Sequence, residues 1–177
     1  RLVRGRALPW TADERASAGE LGSLIEIDAL RQRSALNKTI MDSIPSQLCV
    51  LDGRGVIVAV NAAWQRFAQA NGAGGGVVDP VGSSYRRACN AGPEAPADDP
   101  GEAAWAGIDA VLQGRVPQFE LDYPCDSPTE RRWFQMQVHP MAAPMQGVLV
   151  VHSNVTERKR AEAALALSEQ RYRSVLA

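Results

Sequence analysis

The sequence predicts an α+β domain built on an antiparallel sheet, and three observations carry that expectation. Apolar segments fall in the order strand, strand, helices, strand, strand, strand. The first two strands, at 47–51 and 56–60, are joined by Asp52-Gly53-Arg54-Gly55, a strong hairpin signal. The later strands show the two-residue period of a pleated segment: Phe119, Leu121 and Tyr123 alternate with Gln118, Glu120 and Asp122. Phe134, Met136 and Val138 alternate in the same way with Trp133, Gln135 and Gln137.

Bulk properties narrow the class. A chain of 177 residues with 45% hydrophobic content supports one domain with a core, plus helical extensions. A formal net charge of −1 makes no electrostatic case for nucleic acid or an anionic membrane. No apolar run approaches the roughly 18 residues of a membrane span. There is no signal-peptide pattern, and the chain opens on Arg1, as a piece of a longer protein would. Cys49, Cys89 and Cys125 are odd in number and irregularly spaced, so a disulfide framework is not expected and a reducing cytoplasm fits.

In chain order, Thr11 and Glu14 form a capping box that opens a helix running to about Ser43. Its apolar positions, among them Leu21, Leu24, Ile25, Ile27, Leu30, Leu36, Ile40 and Met41, fit no single heptad register, and Arg31 to Ser34 is a polar gap. Two helical pieces, or one helix that changes partners, both satisfy that pattern. Pro45 stops it. After the hairpin, Asn61 is an N-cap for a helix that buries Trp64, Phe67 and Ala68 and stops at Asn71-Gly72. The Gly-rich 73–76 lacks the Lys-Ser/Thr ending of a phosphate loop and reads as a connection. Gly82-Ser83-Ser84-Tyr85 leads into a short helix, and the acidic loop with Pro93, Pro96, Asp98 and Asp99 has no regular ligand spacing. Asp99 as N-cap, Pro100 and Glu102 then start a helix that buries Ala104, Trp105, Ile108, Val111 and Leu112 and ends at Gly114. The last strand, at 147–152, runs into a C-terminal helix with Thr156 as N-cap and Glu157 in its first turn.

At that last junction the sequence resembles the PAS family. SNVTERKRAE, at 153–162, is similar to the family's closing Asp-Ile-Thr-x-Arg-Lys signature, with Asn154 and Val155 in place of the Asp and Ile. The Leu-Asp-Gly hairpin followed by Asn61-Ala62-Ala63-Trp64 resembles the family's opening, and YPCDSPTERRWF at 123–134 resembles a subgroup of bacterial sensor domains. The resemblance covers about residues 41–160. It implies a five-stranded antiparallel sheet with helices on one face, and a division into a linker helix at 1–40, the domain at 41–156 and a signalling helix at 157–177. RGRALPWTADERASAGEL, at 4–21, resembles the end of a bacterial phytochrome's PHY domain, and any coiled linker between signalling domains fits it equally. SEQRYR, at 168–173, resembles the lead helix of a further PAS domain.

The resemblance implies signal transmission from an upstream sensor, preferably phytochrome-like, to a downstream output domain. The alternative is a domain that itself senses an aromatic compound or haem. Asn61, Asn154 and Thr156 would carry the relay. A cavity, if present, would be lined by Tyr85, Cys89, Trp105, Ile108, Phe134 and Met136, and the expectation favoured here is that these side chains fill the core. No cofactor is expected: Tyr85 stands where flavin-binding light-oxygen-voltage relatives carry their reactive Cys, and residues 101–114 offer no His for haem. An enzymatic reading would need His139, His152 and Cys125 to converge on a metal or an activated thiol, and no close-spaced ligand pair supports it. A parallel homodimer is expected instead. Ala161, Leu165, Ser168, Tyr172 and Val175 recur at alternating four- and three-residue steps, the spacing of a coiled-coil seam. Val56, Val58 and Val60 facing one way, and Ile57 and Ala59 the other, also suggest a sheet apolar on both faces.

Overall fold

The computed structural model describes residues 11–71, 80–89, 100–126 and 130–175, with Glu14, Ala88, Ser174 and Val175 described by backbone alone. The basic start, the capping-box side chain of Glu14, the Gly-rich 73–76, the acidic loop with Asp99, and the side chain of Val175 lie outside the described residues; the residue that caps the helix starting at Gly101 is Pro100, where Asp99 was expected. The chain divides into two compact units, Arg1–Ile40 and Met41–Ala177.

The N-terminal element is one continuous helix, α1 (Ala12–Ser43). The polar gap does not break it, because Gln32 reaches back one turn to Asp28 at 2.8 Å and keeps the helical register. Pro45 sets its end, since the residue before a proline is driven out of the α region. Leu21, Leu24, Ile25, Leu30 and Leu36 are exposed along it.

The second unit holds the five-stranded antiparallel sheet that the sequence predicts. Its strands are β1 (Gln47–Asp52), β2 (Ile57–Val60), β3 (Phe119–Pro124), β4 (Trp133–Met141) and β5 (Gly147–Asn154), in the spatial order β2-β1-β5-β4-β3. The last strand of the chain is therefore the central one. Val148 and Val150 of β5, fully buried, meet Cys49, Leu51, Met136 and Val138 from the strands on either side. Ile108 and Val111 of α4 (Gly101–Leu112) close the same core. Helices α2 (Ala62–Ala70) and α3 (Tyr85–Cys89) complete that layer.

Local chemistry accounts for the joints. The β1–β2 turn is held by Asp52, whose side chain accepts from the amides of Arg54 and Val56 at 2.9 Å each. Those amides, Val56 first, lower the Asp52 pKa. The left-handed residue of the turn is Gly55, not Gly53, with φ of 76°. A Cβ there would also sit 2.6 Å from the Trp105 ring. At the end of α4, Arg115 N–H bonds Ala110 O and Gly114 N–H bonds Val111 O around left-handed Gly114, a Schellman motif.

Three expectations need correction. The alternation proposed for 56–60 does not hold: Cys49 faces Val60 but Leu51 faces Ile57, so Val58 is an inserted residue. The bulge puts Ile57 and Val60 both in the core and leaves Val58 exposed. Trp64, Phe67 and Ala68 are only half-buried, because the space in front of them is not filled. On α4, Gly107 joins Ile108 and Val111 in the interior while Ala104, Trp105 and Leu112 stay half-buried. The Phe119 ring lies against Gly107 so closely that a Cβ would be 2.2 Å from it.

Candidate functional site

The unfilled space is a cavity of about 440 Å³ between the helices and the inner face of the sheet. Trp64, Phe67 and Ala68 of α2 form one wall, and Tyr85 and Cys89 of α3 with Ala104 of α4 another. Leu121 and Tyr123 of β3, Met136 of β4, His152 of β5 and Gln47 of β1 form the sheet side. Each strand residue is there because of the two-residue period: Val148, Val150 and His152 all point to the helix-covered face.

His152 is the polar centre of this wall. It is 7% exposed, and both ring nitrogens are engaged: Nε2 lies 2.8 Å from the Tyr85 hydroxyl and Nδ1 2.6 Å from the Tyr123 hydroxyl. The Trp64 ring stands 5.6 Å away, tilted by 59°. Burial lowers the His152 pKa to about 4, so the imidazole is neutral at pH 7. Burial raises the pKa of both tyrosines as well. None of the described residues on the wall is Asp, Glu, Lys or Arg. The Arg132 guanidinium lies over the Phe67 and Phe134 rings and donates to Asn71 Oδ1 of the wall at 2.6 Å.

Of the residues proposed from sequence to line a cavity, Tyr85, Cys89 and Met136 do so. Trp105 packs beside the Gly55 turn, Ile108 is fully buried in the core, and Phe134 stacks between Phe67 and Tyr123 at 5.3 and 6.1 Å. The sequence reading missed His152, Tyr123, Trp64 and Gln47. Carrying the β5 alternation two residues further would have found His152.

Two polar junctions flank the cavity. Asn61, fully buried, caps α2 by accepting from Trp64 N–H at 3.0 Å and also accepts from Leu48 N–H at 3.0 Å. Its amide group donates to the carbonyls of Met41, Ile44 and Ser46 at 3.1, 3.2 and 2.9 Å. One side chain thus ties the last turn of α1, the start of β1 and the start of α2. Asp42 reinforces the tie by accepting from Ala62 N–H at 2.8 Å.

The second junction joins β5 to α5 (Thr156–Val175). Thr156 is the first helical residue, not the cap. Its hydroxyl accepts from Trp133 N–H of β4 at 3.0 Å and donates to Asn154 Oδ1 at 2.6 Å. Asn154 Oδ1 also accepts the Thr156 amide at 3.0 Å, satisfying a first-turn N–H. Charge enters from a residue the sequence reading had not placed here. Asp122 of β3 pairs with Lys159 at 2.6 Å and lies 3.7 Å from Arg158. The Lys159 hydrogen bond, first among the causes, holds the Asp122 carboxyl below the ordinary range. Further along α5, Leu165 is 63% and Tyr172 71% exposed, and Ala161 and Ser168 are exposed beside them.

His139, His152 and Cys125 do not converge. His139 pairs with Leu149 on β4, Cys125 lies just beyond β3, and no described group of three or more His, Cys, Asp or Glu could hold a metal ion. The Cys125 thiol is half-buried, and burial raises its pKa, which opposes thiolate chemistry. All three cysteines are free thiols. No described helix is long and apolar enough to cross a membrane.

A family model described as PAS fold matches residues 41–160. An uncharacterized 104.1 kDa protein of Rhodobacter capsulatus, from the hypE 3′ region, is 35% identical over 151 residues. That match takes in 85% of this chain and 16% of the relative, so the chain spans about a sixth of that protein's length. Among solved structures, phage VqmA in complex with DPO superposes with a TM-score of 0.50 at 17% identity, covering 81% of this chain and 62% of that one. An RNA-binding light-oxygen-voltage receptor gives 0.53 at 14% identity, covering 77% and 37%. At these identities the likeness to the solved structures is one of fold.

Proposed function

This chain belongs to the PAS family, and we propose that it is a non-enzymatic signalling module in which the state of the cavity is read by β5 and passed into α5. One observation carries the reading. His152 forms part of the cavity wall, and two residues further along the same strand Asn154 holds the first turn of α5. The cavity and the exit helix therefore share one rigid strand, with no loop between them. Asn154→Asp tests the relay. The carboxylate keeps both acceptor roles and adds a charge beside the helix start, so stability should change by less than about 1 kcal/mol. The output of the full-length protein should shift. Equal output from both versions would remove this junction from the relay.

The source of a second input is suggested by residues 4–21 alone. Their resemblance to the end of a PHY domain supports a phytochrome-like photoreceptor upstream, delivering its change through α1 and the Asn61 tie. In that reading the 177-residue fragment carries no chromophore. It should purify without a visible absorption band, while the full-length protein should show one.

The same module is proposed to work in the cytoplasm as a parallel homodimer, linking upstream and downstream domains of its own chain. The exposed Leu165 and Tyr172, at seam spacing on α5, support this. Leu165→Glu places a charge in that seam and should weaken self-association by about tenfold or more. Sedimentation velocity over a concentration series checks it. A monomeric parent, or an unaffected dimer in the variant, would exclude the seam.

A further inference from the structure

The hydrogen-bond arithmetic of the cavity constrains what it can hold. A neutral imidazole offers one N–H and one acceptor nitrogen, and each tyrosine offers one O–H. Three protons therefore serve two links, Tyr85–His152 and His152–Tyr123. If Nδ1 carries the imidazole proton, it donates to Tyr123, Tyr85 donates to Nε2, and the Tyr123 proton is left over. If Nε2 carries it, the Tyr85 proton is left over. Either tautomer leaves one phenolic proton without an acceptor among the described residues. Both hydroxyls belong to residues on the cavity wall.

We propose that the cavity takes an uncharged, planar molecule that presents one hydrogen-bond acceptor, a ring nitrogen or a carbonyl, to this surplus phenolic proton. The inference rests on the reading of the cavity as a signalling input, and it specifies the chemistry of that input. An acceptor is selected because a donor-only ligand would leave a buried O–H unpaired, which costs more than the bond itself gains. A charged ligand is disfavoured because none of the described wall residues could pair with it after desolvation. Planarity follows from the Trp64 and Phe67 rings, which offer flat apolar surface on the wall facing the sheet. The volume falls within the range of small-molecule sites. Gln47, opposite His152 on β1, adds an amide at the same wall.

Three bicyclic probes of similar size separate the possibilities: quinoline, an uncharged acceptor; indole, an uncharged donor; and N-methylquinolinium, a permanent cation. Binding to this 177-residue protein is followed by calorimetry, and amide hydrogen exchange at residues 155–160 reports the exit helix. Quinoline should bind at least about tenfold more tightly than indole, the equivalent of about one hydrogen bond. N-methylquinolinium should bind at least about 100-fold more weakly than quinoline. Ala68→Phe and, independently, Ala104→Phe should fill the cavity and abolish quinoline binding, with thermal unfolding confirming that each variant folds.

Indole or the cation binding as well as quinoline, or quinoline not binding, overturns the ligand class. Quinoline that still binds both filled variants overturns the site. The broader reading fails separately: in that case quinoline binds as expected, yet exchange at residues 155–160 changes neither on binding nor on filling the cavity.

Discussion

Asn61→Ala should lower the unfolding free energy by about 4 kcal/mol, the largest loss expected from a single polar side chain in this domain. The cause is the number of buried groups that depend on it. Loss of the side-chain oxygen strips the Leu48 and Trp64 amides of their acceptor, and loss of the amide removes a donor from the carbonyls of Met41, Ile44 and Ser46, of which Met41 O keeps the Ile44 N–H at 3.3 Å. A helix cap alone is worth about 1 kcal/mol, and an unpaired buried amide adds about 1–3 kcal/mol. In thermal unfolding the midpoint should fall by on the order of 10 °C. Asn61→Asp separates the two halves of the group. It keeps both acceptor bonds but turns a carboxylate toward the carbonyls of Met41, Ile44 and Ser46, so it should be no better than Ala. A loss below about 1 kcal/mol for either variant would mean that the α1–β1–α2 tie is not structural.

The second large effect is a stability step with pH. His152 has a folded pKa of about 4 against 6.5 unfolded. Between those values the unfolded chain binds the extra proton, so stability is full above about pH 6.5 and declines as the pH falls toward 4. A shift of this size corresponds to about 3 kcal/mol. Asp52 and Asp122 have lowered pKa values, and their contributions are lost only at more acid pH, as it falls through their folded values. The histidine step is therefore separable. Urea unfolding from pH 7 to 4.5 should show a decline in the parent and a much flatter profile in His152→Gln, whose amide can still bridge the two hydroxyls. Equal slopes in the two proteins would show that His152 is not held neutral.

Much of the frame was legible in the sequence because it rests on local chemistry. Pro45, the Asp52 turn, the N-cap Asn61 and Gly114 each act within a few residues; two-residue periodicity found β3 and β4, and apolar runs beside turn or cap signals found β1, β2 and β5. What escaped depends on which residues meet across the sheet. The bulge at Val58 is set by the pairing of β2 with β1, and it reversed the face assigned to half of that strand. The charge beside α5 comes from Asp122, which the sequence places 37 residues before Lys159. The cavity was missed for a related reason. Trp105 and Phe134 were among the side chains expected to fill the interior, but Trp105 packs beside the Gly55 turn and Phe134 against Phe67, and the remaining space is edged by His152, which the β5 alternation would have placed there. Asn61 shows the same limit: its cap was readable, its donation to three carbonyls across residues 41–46 was not.

The footing of α5 sets a mechanical ratio. The helix is pinned near its start, by Thr156 to β4 and by Lys159 to β3, while residues 160–173 are exposed. From Lys159 to Val175 the arm is about 24 Å at 1.5 Å per residue. A tilt of only about 5° about that fulcrum would sweep the far end through roughly 2 Å, comparable to the interface shifts by which packed helices switch partners. The two pins stand on neighbouring strands, and β3 is the edge strand of the sheet. A change in strand twist that moved β3 relative to β4 would thus be geared up by the length of the helix, with no hinge in the chain.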